Sequence, residues 1–229
     1  MPTMVDSGWR ICEKVIGLMV RRTKEEALET RNQIISAAEL CFYRKGLART
    51  SLAEIASAAG VTRGAIYWHF QDKTELVGAL LERVNMPLQP LSEASRHPNE
   101  PDPLGRLRDL LVQIFQRAAS DPEVRRVSEI LFHKCEYTED LGNLRQWMQD
   151  FRRGYNHNIE LSLRNAVNKG QLPAELDLIV ASRCVHAFIT GVLDQWLLVP
   201  EGLDLAAKAE TLADGILDML RLSPALLKS

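Results

Sequence analysis

The sequence is poor in cysteine: Cys12, Cys41, Cys135 and Cys184 are scattered over 229 residues, with no Cys-x-x-Cys and no histidine pair at metal-ligand spacing nearby. That excludes a disulfide framework and a structural zinc site, and the four read as reduced, mostly buried thiols of a cytoplasmic protein. Long apolar runs are missing too. None approaches the roughly 18 to 20 residues of a membrane-spanning helix. The apolar stretch near the N-terminus is broken by Arg10, Glu13 and Lys14, which does not suit a secretion signal. There is no Asn-Gly hairpin and no long alternation of β-branched residues, so a sheet is not expected. Nor is there a glycine-rich phosphate loop, a Ser-His-Asp signature or a metal cluster, so the chain offers no enzyme chemistry and calls for no cofactor. His133 and Glu136 stand one helical turn apart but lack a third ligand, and are read as a solvated or hydrogen-bonded pair. Net charge is small as well. The chain carries 28 basic and 30 acidic residues, for −2, which by itself gives no hint of nucleic acid. The distribution is uneven, with 12 basic and 10 acidic residues from Met1 to Asn85 against 16 and 20 beyond. This permits a basic face on an N-terminal unit and an acidic remainder that avoids phosphates.

What is present is helical periodicity. From Glu25 to Lys45 the residues Leu28, Ile34, Ile35, Ala38, Cys41 and Phe42 fall largely on one stripe, and Gly46 closes the helix as a C′ glycine does. Ser51-Leu52-Ala53-Glu54 is a capping-box pattern and opens a short helix. Gly60 interrupts it, Thr62 caps the next short helix, and Asp72-Lys73-Thr74-Glu75 opens a longer one. Asp-Pro pairs at 102–103 and 121–122 place an N-cap and an N1 proline at two further helices. Helices are expected at about 103–119, 123–137, 140–169, 174–199 and 204–222. The fold class is all-α with about nine helices. Residues 1–18 are taken as a disordered extension, 19–71 as a three-helix helix-turn-helix domain, and 72–229 as a larger helical bundle.

The stretch from Ser51 to Phe70 meets each demand of a helix-turn-helix. Ala56 is small where two helices approach, Gly60 stands where the turn needs positive φ, and Ile55 and Ile66 supply the buried faces. Thr62, Arg63 and Gly64 then fall at the N-terminus of the second helix, the part that meets base edges in the major groove. Arg63 suits bidentate donation to guanine, Gly64 permits close backbone approach, and Thr62 suits a phosphate or a thymine methyl. Tyr67, His69 and Lys73 lie where side chains clamp phosphates, and Trp68 is grouped with them. Ser51 suits a phosphate at its helix N-terminus. Arg21, Arg22 and Lys24 precede the first helix as an arm that adds salt-dependent affinity. Phe70 is expected in the core. Duplex operator DNA is therefore the expected partner.

The run Thr62-Arg-Gly-Ala-Ile-Tyr-Trp-His-Phe70 with Asp72-Lys73 resembles the TetR family of transcriptional repressors. Segments 19–31, 129–136, 196–200 and 220–226 extend the resemblance toward its multidrug-efflux repressors. The resemblance implies a homodimer made by the last two helices of each subunit, here about 181–198 and 207–220. Val185, Phe188, Ile189, Val192, Leu193, Trp196 and Leu197 outnumber what one face of a surface helix shows, and Leu212, Ile216, Leu217, Met219 and Leu220 add a second apolar face. The resemblance also implies a ligand cavity inside the bundle. Leu111 and Ile114 would line it, with Ser128, Leu131 and Phe132, then Tyr155 and Ile159, and finally His186, Ile189, Thr190 and Asp194. Core packing accounts for each of these equally well when taken singly. The implied activity is ligand-released repression of a multidrug efflux operon, with hydrophobic or aromatic small molecules as effectors and no part for a membrane. A TetR-type repressor of a metabolic or stress operon with another effector is the alternative.

Overall fold

The computed structural model describes residues 6–135 and 143–228, with side chains from residue 23 onward. Among the described residues there is no strand, only an isolated bridge pairing Leu176 with Leu227. The α-helices are α1 (Asp6–Lys45), α2 (Leu52–Ala58), α3 (Arg63–His69), α4 (Lys73–Asn85), α5 (Gln89–Arg96), α6 (Pro103–Ser120), α7 (Pro122–His133), α8 (Leu144–Asn168), α9 (Leu178–Leu198) and α10 (Leu205–Leu222). Short 3₁₀ turns at Met86–Leu88, Pro200–Gly202 and Pro224–Leu226 join or end them.

The caps anticipated from side-chain chemistry form. Ser51 and Glu54 make both bonds of a capping box, Thr62 accepts from the Ala65 N–H, and Asp72 accepts from the Glu75 N–H. Asp102 and Asp121 cap α6 and α7 ahead of their N1 prolines. Gly60 takes φ +67° after α2. Its N–H bonds to the Ser57 carbonyl, and the Val61 N–H reaches the Ala56 carbonyl, the paired bonds of a Schellman turn.

Four expectations are corrected. Helix α1 begins at Asp6, so residues 6–18 are helical and not an unstructured extension; residues 1–5 lie outside the described residues. No proline stands between Pro2 and Pro87, and extending an existing helix needs only one residue fixed per hydrogen bond. Helix α5 was not anticipated; Pro87 and Pro90 fall in it or just before it, and both sit in the first turn of a helical segment, where no N–H is needed. Cys41, Cys135 and Cys184 are half-buried rather than buried, and Cys12 lies outside the described side chains. Burial nonetheless pushes the Cys41 and Cys135 thiols up, away from thiolate reactivity. Finally, much of the apolar surplus of α9 and α10 is used within the chain, although Phe188, Ile189, Val192, Leu212 and Met219 stay half-buried. Val185, Leu193, Trp196, Leu197, Ile216, Leu217 and Leu220 are all buried, and α10 lies along α6.

The core of the N-terminal head does not stop at residue 71. Ile34, Phe42, Ile55, Ile66 and Phe70 share one cluster with Leu76 and Leu80 of α4, Val127 and Ile130 of α7, and Met148 of α8. An ion cluster reinforces that junction. Glu39 of α1, 4% exposed, accepts from Arg83 of α4 at 2.9 Å and Arg126 of α7 at 2.5 Å, and Arg83 also pairs with Glu123 of α7. Gly78 of α4 leaves space for Trp147 of α8, since a Cβ there would meet that ring at 3.2 Å. The head is thus keyed to the bundle through α4.

Candidate functional site: a DNA-reading face and an apolar cavity

Helix α3 presents two unlike faces. Ile66 and Phe70 are buried, whereas Thr62, Arg63 and Gly64 are exposed at its start. Tyr67 is 50% exposed and Trp68 is 73% exposed, so Trp68 contributes nothing to the core. Two adjacent aromatic side chains thus stand in water beside the exposed start of the helix. At Gly64 the chain itself makes no demand for glycine: a Cβ would meet nothing nearer than the Thr62 hydroxyl at 3.9 Å, and φ is not positive.

Two residues expected at phosphates are engaged internally. The Ser51 hydroxyl and N–H both meet the Glu54 carboxylate, at 3.1 and 2.9 Å. Hydrogen bonds from Lys45 and Ser51 hold Glu54 down at about 2, so this end of α2 carries an ion pair of Glu54 with Lys45 beside Ser51. The Lys73 ammonium donates to the carbonyls of Leu47 and Ala48, at 2.9 and 3.1 Å, and pins the loop after α1. His69 is pulled below its ordinary value by burial and by Arg31, which keeps it neutral near pH 7. Lys24 is exposed on α1, while the side chains of Arg21 and Arg22 lie outside the described residues.

Inside the bundle, α4, α6, α7, α8 and α9 enclose an apolar cavity of about 190 Å³. Leu111, Ile114, Ser128, Leu131, Phe132, Tyr155, Ile159, His186, Ile189 and Thr190 all line it. Asp194 does not. It pairs with His133 Nε2 at 3.1 Å and lines an outer cleft with Arg152, Asn156 and Arg183. Thr190, one turn earlier, lines both the cavity and this cleft, and Asp194 continues along the cleft side of the helix. The anticipated partner of His133, Glu136, lies outside the described residues, and no metal-holding group of side chains occurs among the described ones.

The sequence reading missed the α4 wall. Leu81, Val84 and Asn85 close one side of the cavity, and Arg117 reaches from α6 to donate to the Val84 carbonyl at 2.7 Å. Tyr155 donates to Asn85 Oδ1 at 3.2 Å. An adjoining cleft of about 360 Å³ shares Asn85, Leu107, Ile114 and Tyr155 with the cavity and opens past Gln89, Glu93 and Arg96. The only sequence signal for the α4 wall was the continuation of its apolar stripe past what the head needs.

Two family models match. Residues 34–80 fit the bacterial regulatory proteins of the tetR family, and residues 102–222 fit the C-terminal region of the MAATS-type transcriptional repressors. The chain belongs to the TetR family. It is 52% identical over 210 residues to TtgR, an HTH-type transcriptional regulator of Pseudomonas putida, covering 92% of this chain and 100% of that one. Among solved structures it resembles NalD, the secondary repressor of the MexAB-OprM multidrug efflux pump in Pseudomonas aeruginosa. The identity is 34% and the TM-score 0.74, covering 87% of this chain and 99% of that one. It also resembles SmeT, repressor of the Stenotrophomonas maltophilia pump SmeDEF, in a complex with triclosan. There the identity is 32% and the TM-score 0.76, covering 88% and 96%. This TetR-family chain is therefore a helix-turn-helix transcriptional repressor and not an enzyme. No helix among its described residues is long and apolar enough to cross a membrane.

Proposed function

We propose that this repressor controls a multidrug efflux operon and leaves its operator when a hydrophobic or aromatic molecule enters the cavity. The observation that carries this reading is the α4 wall. Leu81 and Val84 line the cavity and also belong to the core of the head, so a molecule pressing on them acts on the element that orients α3. The relatives that repress efflux pumps, and the triclosan complex of one, support the same reading.

In this reading Arg63 reads a guanine edge, Gly64 admits the DNA backbone and bases closely, and Thr62, Tyr67 and Trp68 meet phosphates and sugars. The head ends functionally near residue 71 and α4 is the lever. Two chains pair through the exposed apolar residues at the ends of α9, Ile179, Val180 and Leu198. Their recognition helices then stand roughly 34 Å apart, one turn of DNA. A ligand that prefers the other spacing by about 2 to 3 kcal/mol releases the operator appreciably.

The test is fluorescence anisotropy of labelled duplex from the region upstream of the gene, with triclosan titrated into the complex. Salt-sensitive, sequence-specific binding that triclosan reverses is the expected result. Triclosan that binds the protein while the duplex stays bound would overturn it.

A further inference from the structure

Around His186, the protons of Ser128, Thr190, Tyr155 and Asn156 can be followed. Ser128 donates its hydroxyl proton to the Val124 carbonyl at 2.8 Å, and Thr190 donates its own to the His186 carbonyl at 2.9 Å. Tyr155 donates to Asn85 Oδ1. Asn156 donates through Nδ2 to the Arg152 carbonyl at 2.9 Å, which fixes its amide with Oδ1 as an acceptor. His186 Nδ1, 3.1 Å from that Oδ1, must therefore carry the ring proton. A neutral imidazole then has a bare lone pair on Nε2. Burial, with help from Arg152 and Arg183, holds His186 below its ordinary value and keeps it neutral. His186 lines both the cavity and the outer cleft, whereas its Nδ1 partner Asn156 lines the cleft alone, so the bonded Nδ1 edge belongs to the cleft side and Nε2 is the ring nitrogen left for the cavity.

We infer that the His186 end of the cavity is built of acceptors alone, so that it selects effectors carrying a neutral hydrogen-bond donor, such as a phenol, on an apolar frame, with His186 Nε2 as the specificity-determining contact. Ser128 and Thr190 add only lone pairs, because their protons are committed to backbone carbonyls. The cationic side chain in the lining, Arg117, stands at the α4 end, bonded to the Val84 carbonyl and paired with Asp121 at 3.3 Å. An apolar molecule without a donor still enters, but it leaves buried acceptors unanswered. Such a loss is worth about tenfold in affinity for one neutral hydrogen bond.

This inference rests on the cavity being the effector site, and the test separates the two. The probes are 2-naphthol, 2-methoxynaphthalene and 2-naphthoate, titrated calorimetrically into the full-length protein and into His186→Phe. The expected result is binding of 2-naphthol about tenfold tighter than its methyl ether in the unaltered protein, with the difference gone in His186→Phe. Thr190→Val, a milder change, should reduce the preference without abolishing it, and serves if His186→Phe does not fold. Equal binding of naphthol and ether overturns the donor rule while leaving the cavity as the site. Tighter binding of 2-naphthoate assigns the polar contact to Arg117 and also overturns it. Binding of none of the three overturns the cavity reading, and this inference with it.

Discussion

The head and the bundle use the same helical material in opposite ways. In the head, α3 buries Ile66 and Phe70 and leaves Arg63, Tyr67 and Trp68 in water, with a glycine at 64 that nothing in the chain requires. Its candidate contacts are the groups for which the fold has no use. In the bundle, the cavity's hydroxyls and imidazole are all hydrogen-bonded within the chain, and the candidate contacts are what the fold encloses. A DNA-reading face has to remain unsatisfied until its partner arrives. A small-molecule cavity has to commit its polar protons within the chain and leave open only the lone pairs its ligand answers, because a buried orphan polar group costs about 1 to 3 kcal/mol. The two regions meet at α4, which belongs to both.

The sharpest way to break this comparison is to ask whether the regions are separable. Phe42 is fully buried in the cluster shared by α1, α4, α7 and α8. Phe42→Ala should cost about 3 to 5 kcal/mol in chemical denaturation. Fluorescence of bundle tryptophans and far-UV circular dichroism should still report one coincident transition. A head that melts alone would show that the shared core does not couple the two regions. Glu39→Ala should cost about 3 kcal/mol by the same measurement, because Arg83 and Arg126 lose their buried partner. Arg83→Ala and Arg126→Ala should each cost less.

Smaller effects should fall on one region only. Arg63→Ala is expected to weaken operator binding by about 1 to 3 kcal/mol and to relax sequence preference, with ligand affinity unchanged. Unaltered specific binding would remove Arg63 from the reading face. Gly64→Ala should raise thermal stability by up to ~1 kcal/mol, since alanine favours a helix and the space is open. Operator affinity should nonetheless fall by about tenfold. An alanine variant that binds as well as the original would show that the glycine serves no contact.

The smallest expected effect is at the capping box. Ser51→Ala should cost about 1 kcal/mol of stability. The contribution of Glu54 has a defined pH window. Its folded value, about 2, lies below its ordinary 4.5, so its stabilisation is complete above 4.5 and disappears as the pH falls through about 2. Thermal melts between pH 2 and 7 should therefore show Glu54→Gln converging on the unaltered protein at the acid end. Parallel curves across that range would show that the pair with Lys45 does not stabilise the fold.

The head was largely legible in the sequence. Ser51, Thr62 and Asp72 cap helices within three residues of themselves, and Gly46 and Gly60 end them, so each signal and its consequence are neighbours in the chain. The same local reading is incomplete where a side chain has two suitable partners. Ser51 and Lys73 have the chemistry to hold a phosphate, but Glu54 and the carbonyls of Leu47 and Ala48 are nearer. The bundle was legible as apolar stripes and not as a shape. The same periodicity describes a helix that faces a partner chain and one that faces α6, which is why Val185, Trp196 and Ile216 were assigned to a dimer face and proved internal.

The sequence by itself determined the helices, their caps and the exposed chemistry of α3, because helix periodicity and capping act over a few residues. Only the tertiary structure decided that α4 forms a wall of the cavity, that Asp194 faces outward to His133, and that the proton of His186 points at Asn156. Those facts depend on which helices lie side by side. That is set by burying several apolar faces at once, with contacts between residues far apart in the chain, and no short stretch of sequence contains them.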